Sequence, residues 1–329
     1  MSAIQGISVV IPNYNGVRFF SETLETVYEA LQNSGYPFEV IVSDDHSTDG
    51  SPDWLQQHYP QIRLVKSETN RGFSPTINQG IFAAAHSHVL LLNSDVKLTQ
   101  GFFKELDRYF ERDDTFGVMV RIVGWDDDEI QDGGKYPSFH GLKIKTSGNY
   151  VPQHPGPGQW LYSMYLSGAC ALVDRHKITQ LEGFDELFAP FYVEDYELSL
   201  RAWRMGWKCY YDHATTCRHK LSATIRSGSR KKAINLVYNR NKMYLHAIHL
   251  EQPNRFLWFV QLVLESLGRM MALQWNYLRS VIAFAGNYKQ VKRSREIFHQ
   301  LAGDRTLMQV KDVARLVLSS LEKEKIVRL

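Results

Sequence analysis

The chain has 329 residues, 44% of them hydrophobic and 12% aromatic, enough for one large packed domain with an appendage or for two domains. Its net charge of +3 hides an asymmetry: residues 230–329 carry 18 Lys and Arg against 7 Asp and Glu, so the front of the chain is net acidic and its tail strongly basic. Three cysteines, Cys170, Cys209 and Cys217, exclude a disulfide framework, match no zinc spacing and fit a reducing cytoplasm.

The N-terminus enters the apolar run Ile7–Ile11 with no basic, then apolar, leader, so no signal peptide is expected. No uncharged apolar run reaches the ~20 residues that cross a bilayer; Phe256–Phe284 is interrupted by Glu265, Arg269 and Arg279. Over the first hundred residues, short apolar runs alternate with amphipathic segments. Strands are expected at Ile7–Ile11, Phe38–Val42, Ile62–Val65 and Val89–Leu92. A helix with Phe20, Leu24, Val27 and Leu31 on one face lies between the first two, and Ser74-Pro75 opens another that carries Ile77, Ile81 and Ala84. This alternation predicts a doubly wound, mostly parallel α/β sheet whose ligands sit outside the carboxyl ends of its strands.

Further along, Phe102–Phe110 reads as a helix and Phe116–Val123 as a strand. Residues 124–160, rich in Gly and Pro, read as a long irregular segment of the kind that forms functional lids. A helix is expected near Glu194–Met205 and a strand at Trp207–Tyr211. From Arg230 onward the chain reads as wholly helical, with one helix ended by Pro253, a second over Phe256–Phe284, and shorter basic ones after it. The expected division is therefore a catalytic domain over 1–229 and a helical extension over 230–329.

Three strand ends present polar clusters: Pro12-Asn13-Tyr14-Asn15, Asp44-Asp45-His46-Ser47-Thr48-Asp49-Gly50, and Asn93-Ser94-Asp95. For Ser47 and Asp49, capping of the next helix is the favoured reading. Asp95, at the tip of His88-Val89-Leu90-Leu91-Leu92, is favoured as functional, because a carboxylate there suits a hard divalent cation beside a ligand's phosphates.

These blocks, together with Asn70-Arg71-Gly72-Phe73-Ser74, Leu166-Ser167-Gly168-Ala169-Cys170, Gly183-Phe184-Asp185-Glu186 and Glu194-Asp195-Tyr196-Glu197-Leu198-Ser199-Leu200-Arg201, resemble glycosyltransferase family 2, most closely its bacterial rhamnosyltransferase-like branch, over residues 6–225. The resemblance implies a GT-A fold and an inverting glycosyltransferase. Such an enzyme moves sugar from a nucleoside-diphosphate sugar to a saccharide or lipid-linked glycan acceptor, with Mg2+ or Mn2+ as cofactor. It implies donor contacts from Pro12, Tyr14, Asn15, Asp44, Arg71, Asn93, Ser94 and Asp95. Metal ligands are implied at Asp95 and His219; Asn93 replaces the family's first metal aspartate, so modest metal affinity without substrate is expected. Asp195 is implied as general base beside Glu194, and Trp160, the His154–Gly158 loop and Asp185 as acceptor contacts. The competing readings are helix-terminal charge for Glu194 and Asp195 and a core aromatic for Trp160.

Two other functions compete. A sugar nucleotidyltransferase needs a Gly-rich, Arg-containing loop after the first strand, where this chain has Pro12-Asn13-Tyr14-Asn15-Gly16. A non-catalytic scaffold is opposed by Asp95, Asp195 and His219. For the tail, the favoured reading is a helical hairpin packed on the catalytic domain or on a second copy; the alternative is an in-plane helix at an anionic membrane, flanked by Arg230-Lys231-Lys232 and Lys289, Lys292, Arg293 and Arg295. The expected location is cytoplasmic, peripheral on the inner face of the cell membrane, and no nucleic-acid partner is expected.

Overall fold

The computed structural model describes residues 4–146, 148–156, 158–220, 228–322 and 324–329. Residues 221–225, the end of the stretch that carries the family resemblance, and Pro157 of the His154–Gly158 loop lie outside them.

In chain order, β1 (Ile7–Asn13), α1 (Val17–Gln32), β2 (Phe38–Asp44), α2 (Ser51–His58), β3 (Arg63–Lys66), α3 (Phe73–Ala83) and β4 (His88–Leu92) form right where the apolar runs predict. The four strands are parallel in the spatial order β4-β1-β2-β3. Alternation along β1 explains the double winding. Ile7, Val9 and Ile11 face the cluster that holds Phe20, Leu24, Val27 and Leu31 of α1, whereas Val10 faces the cluster that holds Ile77 and Ile81 of α3.

The sheet continues through β5 (Val96–Leu98), β6 (Thr115–Gly124) and β7 (Ile130–Asp132). The Gly- and Pro-rich stretch after β6 is not structureless. It makes the short strands β8 (Gly134–Lys135), β9 (Phe139–His140), β10 (Lys143–Ile144), β11 (Asn149–Pro152) and β12 (Leu161–Tyr162). Then come β13 (Cys170–Asp174), α4 (Arg175–Gln180), α5 (Glu194–Arg204) and β14 (Lys208–His219). The main sheet runs β12-β14-β6-β13-β4-β1-β2-β3, with β5 on β14 and β7 on β6. β13 is antiparallel to both β4 and β6, and β14 is parallel to β6. Hence β1, β2, β4, β6 and β14 all deliver their carboxyl ends to one edge.

The expected helix over Phe102–Phe110 is instead a series of turns followed by a 3-10 helix at Asp107–Glu111. Phe103, Leu106 and Tyr109 recur every third residue, which is the 3-10 period, and all three are buried. The tail comprises α6 (Gly228–His249), α7 (Asn254–Met271), α8 (Trp275–Gly286), α9 (Tyr288–Ala302), α10 (Val310–Leu321) and finally β15 (Ile326–Arg328). The expected single helix over Phe256–Phe284 is thus two. Leu273 sits at φ +54°, the Gln274 N–H reaches the Arg269 carbonyl at 2.9 Å and the Leu273 N–H reaches that of Met270 at 3.0 Å, a helix-ending pair of bonds that usually recruits glycine. Nor is the tail wholly helical: β15 pairs antiparallel with β11, setting Val151 opposite Val327.

A buried charge cluster fastens the tail. Arg204 of α5, fully buried, donates to Glu251 after α6 and, at 3.0 Å, to the Met308 carbonyl; Arg295 of α9 donates to the other oxygen of Glu251. Removing the shared carboxylate strands a buried guanidinium. Glu251→Ala is therefore expected to cost about 3 kcal/mol in urea or thermal unfolding, and a loss under ~0.5 kcal/mol would show that the cluster does not fasten the tail.

Candidate active site

At the carboxyl edge, Asn13 lies opposite Asp44 in the β1–β2 register. Its amide donates to Asp44 Oδ1 at 2.8 Å and to Ser47 Oγ at 3.1 Å, and the Ser47 N–H donates to Asp44 Oδ2 at 2.9 Å. The Asn15 N–H meets Ser47 Oγ at 2.9 Å, and Asn15 Oδ1 accepts from the Thr48 N–H at 2.8 Å. Asp49 caps as expected, accepting from Val17 at the start of α1 and from Ser51 at the start of α2. Pro12 is half-buried between these loops, and Tyr14 is 56% exposed above them. Asn15 (φ +56°) and His46 (φ +62°) hold left-handed backbone, strain of the sort that gathers at ligand sites.

Buried Asp45 reaches the other way. Its two oxygens accept the N–H groups of Arg71 and Gly72 at 2.8 and 2.9 Å. Gly72 (φ +89°) leaves no room for a side chain, since a Cβ would come within 2.7 Å of Pro190 Cα. The Phe73 N–H donates to the Pro190 carbonyl at 2.9 Å, and the half-exposed Arg71 guanidinium donates to Glu186 at 2.8 Å.

After β4, the Asn93 N–H donates to the Ala169 carbonyl at 3.0 Å and the Asn93 carbonyl accepts from Val96 at 3.2 Å, turning the chain so that Ser94 packs against Gly16. Asn13 Oδ1, buried without a hydrogen-bond partner among the described residues, sits against the same glycine. Asp95 Oδ1 lies 3.5 Å from His219 Nε2. His219 ends β14, opposite Val96 of β5, and its Nδ1 lies 3.3 Å from Gln131 Oε1. With Nδ1–H donating to that amide oxygen, Nε2 presents its lone pair toward the carboxylate.

Glu194 and Asp195 stand at the start of α5, just after Tyr192 (φ +76°) and Val193 (φ +77°). For β-branched Val193 this backbone is costly, and it aims the helix start into the crevice. Asp195 Oδ2 accepts from the Gly168 N–H at 3.3 Å and Oδ1 from the Tyr196 N–H at 2.8 Å. Glu194 is buried, and its Oε2 has no partner among the described residues. Burial, with the Asp195 charge beside it, pushes the Glu194 carboxyl up; burial also raises Asp195, but the Lys135 ammonium and the two N–H donors pull it back. Burial thus raises both carboxyls, and only Asp195 has a cation and two N–H donors opposing that rise.

The contacts close a ring. Gly168 holds Asp195, its neighbour Ala169 holds Asn93, Ser94 and Asn13 meet at Gly16, Asn13 holds Asp44, Asp45 holds Arg71 and Gly72, and Phe73 holds the loop leading back to Glu194. These contacts link the strand ends that carry Pro12, Tyr14, Asn15, Asp44, Arg71, Asn93, Ser94 and Asp95 to the start of α5 with Glu194 and Asp195, and Asp95 adds His219.

Two expected acceptor residues lie elsewhere. Trp160 packs edge-on against Tyr109 and Tyr210 with Arg112 over its ring, at the amino ends of β6 and β14 and so across the sheet from the crevice. Pro155, Gly156 and Gly158 line a cavity with Arg108 and Asp212 at that same end. Asp185 caps the 3-10 helix Glu186–Phe188, accepting from the Leu187 N–H at 2.9 Å, and faces Glu197, Arg201 and Ser294. In both cases packing and capping claim the side chain. The residues absent from the sequence-based site are Asn13, Asp45, Gly168 and Gln131; the first three stand inside the quoted motifs, whereas nothing local marks Gln131.

Residues 8–168 match the family model of glycosyl transferase family 2. This stretch of the chain belongs to glycosyltransferase family 2, and the protein is a glycosyltransferase. Over 237 residues it is 26% identical to an N-acetylglucosaminyl-diphospho-decaprenol L-rhamnosyltransferase of Mycobacterium tuberculosis, covering 64% of this chain and 74% of that one. Over 114 residues it is 33% identical to a putative teichuronic acid biosynthesis glycosyltransferase of Bacillus subtilis, covering 33% and 44%. The fold is that of GalNAc-T7, solved with UDP, GalNAc and Mn2+ (TM-score 0.59, 16% identity, 76% of this chain, and 49%, about half, of that one). It is also that of S. aureus TarS 1-349 with UDP-GlcNAc (TM-score 0.53, 17% identity, 97% and 92%). At these identities the likeness shows a shared GT-A fold.

The raised Glu194 carboxyl makes a stability prediction for this glycosyltransferase. An acid whose folded-state pKa lies above its unfolded value weakens the fold as pH climbs past the ordinary carboxylate range. Glu194→Gln should therefore raise the melting temperature at pH 8 by at least ~2 °C and leave it unchanged at pH 4. Equal shifts at both pH values would show that Glu194 carries no burial penalty.

Proposed function

We propose that the protein is an inverting enzyme that moves a sugar from a nucleoside-diphosphate sugar to a hydroxyl of a lipid-linked glycan in cell-surface polysaccharide synthesis. The observation that carries this reading is the two-residue bridge Gly168-Ala169, which ties Asp195 to the strand end bearing Asn93, Ser94 and Asp95. A base at Asp195 thus stands beside a diphosphate held at that strand end. Asp44 keeps a lone pair on each oxygen for the base N–H, Tyr14 offers an exposed face, and Arg71 stands at the rim. The M. tuberculosis relative, named for a diphospho-decaprenol acceptor, supports the acceptor class.

Ionised Asp195 takes the proton of the acceptor hydroxyl as its oxygen bonds to the anomeric carbon; the bond from that carbon to the diphosphate oxygen breaks, and its electron pair leaves with the diphosphate. One displacement inverts the anomeric centre. Asp95 and His219 fit a divalent ion, Mg2+ or Mn2+: a carboxylate oxygen and an imidazole lone pair face one another at 3.5 Å, near the ~3 Å between neighbouring ligands on one ion. No group of three or more His, Cys, Asp or Glu forms a metal site among the described residues, so substrate phosphates and water would fill the remaining positions and metal affinity should rise with nucleotide present. When bound, such an ion neutralises charge on the departing diphosphate. Gln131 orients the His219 ring for that role.

Asp195→Asn is expected to lower kcat by about 10²- to 10⁴-fold while a donor analogue with Mn2+ still raises the melting temperature; unchanged turnover would sink the base assignment. The kcat/KM profile should lose activity as pH falls through a value above the ordinary aspartate range, because burial raises Asp195 and the proton blocks it. An acid limb at the ordinary value or below would contradict that environment.

For the tail, the reading is peripheral attachment to an anionic membrane through α7. Among the described residues no helix is long and apolar enough to cross one. Phe256, Leu257, Val260, Val263, Leu264, Leu267 and Met271 are exposed along α7 with no exposed charge among them. Exposed Lys231 and Lys232 stand by the start of α8, where Asn276 holds the Lys232 carbonyl at 3.0 Å. The protein should pellet with vesicles containing anionic lipid, and Leu264→Glu should abolish this. Pelleting that does not depend on lipid, or a soluble dimer broken by the same change, would assign the face to a second copy.

A further inference from the structure

A cavity of about 340 Å³ lies where α6, α7 and α8 meet the β9–β10 hairpin. Four cationic side chains line it, Lys143, Lys145, Lys242 and Arg269, against one carboxylate, Glu265, which is already paired with Lys143. Lys242 and Arg269 rest on aromatic faces, Lys242 Nζ 4.4 Å from the Tyr238 centroid and the Arg269 guanidinium 4.1 Å from that of Tyr277. Neither has a carboxylate within ion-pair distance among the described residues. Among the described residues, Trp258, fully buried in the cavity wall, has an indole N–H with no acceptor, and the stacked His246 leaves Nε2 without a partner. Burial and the neighbouring Lys143 and Arg269 charges hold the Lys242 ammonium below its ordinary value. An uncompensated cluster of this kind is costly unless an anion fills it.

The cavity stands directly behind the catalytic carboxylates. Tyr238 in its wall packs edge-on against Tyr192 at 6.1 Å, two residues before Glu194, and its hydroxyl meets Thr146 Oγ1 at 2.7 Å. It shares no residue with the ring that surrounds the donor.

We propose that this cavity is a second phosphate site, which binds the phosphate or diphosphate group of the acceptor and so selects acceptors that carry one. The proposal rests on the glycosyltransferase reading and adds to it the residues that read the acceptor's anionic group. Trp258 Nε1–H supplies a buried donor, Lys242 and Arg269 supply the charge, and exposed Lys145 stands at the entrance.

The test uses the full chain in EDTA, which removes the metal that the donor crevice needs. Farnesyl diphosphate, inorganic pyrophosphate and farnesol are titrated calorimetrically. Both phosphate probes should bind and farnesol should not; tighter binding of farnesyl diphosphate than of pyrophosphate would mark a lipid-linked source, and equal binding a headgroup site. Lys242→Gln, and separately the surface change Lys145→Gln, should weaken binding tenfold or more without lowering the melting temperature, while Asp95→Asn leaves binding intact. In transfer assays Lys242→Gln should raise KM tenfold for a diphosphate-bearing acceptor with kcat held. No binding of either phosphate probe, equal binding by both lysine variants and the unaltered chain, or loss of binding in Asp95→Asn would overturn the proposal. Stabilisation by Mn2+ and a nucleoside diphosphate is measured alongside: retained without phosphate binding in EDTA, it shows that this inference alone has failed, and absent as well, that the donor reading has failed too.

Discussion

Everything at the site depends on the hydrogen bond from the Gly168 N–H to Asp195. It joins two elements that the chain makes far apart, the entry to the antiparallel strand β13 and the start of α5. Because β13 runs against its neighbours, its entry lies at the same sheet edge as the exits of β1, β2 and β4. A single reversed strand thus brings a loop to that edge from which one backbone N–H holds Asp195 and one carbonyl holds Asn93. A side chain at Gly168 would stand 3.6 Å from Asp195 Cβ and from Phe73, ordinary contact, so the constraint there is the direction of the N–H rather than space.

The second constraint is electrostatic. Glu194 and Asp195 are adjacent in sequence and sit at a helix N-terminus, yet their surroundings differ: Asp195 has two N–H donors and the field of Lys135, and Glu194 has a buried oxygen without a partner among the described residues. Two adjacent acids therefore sit in different fields, and the one that favours its charged form more is Asp195. Left-handed backbone at Tyr192 and Val193 sets the direction of the pair, and its strain is balanced by packing that includes Asn241, whose amide donates to the carbonyls of Phe188 and Tyr192 at 2.7 and 2.8 Å. The tail therefore supports the site as well as covering the domain.

Much of this was legible in the sequence because it is local. Strands buried on both faces read as continuous apolar runs, and the polar clusters right after them point to Asp44 and Asp95, whereas Asp195 is named through the family resemblance. What stayed hidden is long-range or shares its pattern with something else. Asp45 looks like a second Asp44, but its partners are 26 and 27 residues away. Gln131 lies 88 residues from the histidine it orients. Phe103, Leu106 and Tyr109 suit an α-helix nearly as well as a 3-10 helix, α7 ends at a leucine where glycine would be the usual sign, and β15 is too short to show a period. Trp160 was an ambiguous aromatic that packing claimed.

In the proposed mechanism one diphosphate binds between the Asp95–His219 pair and Asp195. A crystal structure with Mn2+ and an unhydrolysable nucleoside-diphosphate sugar tests it most directly. The ion is expected to bond Asp95, His219 Nε2 and diphosphate oxygens at about 2.0–2.3 Å, with the anomeric carbon open toward Asp195. A diphosphate bound away from Asp95, or a sugar whose anomeric carbon is shielded from Asp195, would contradict it.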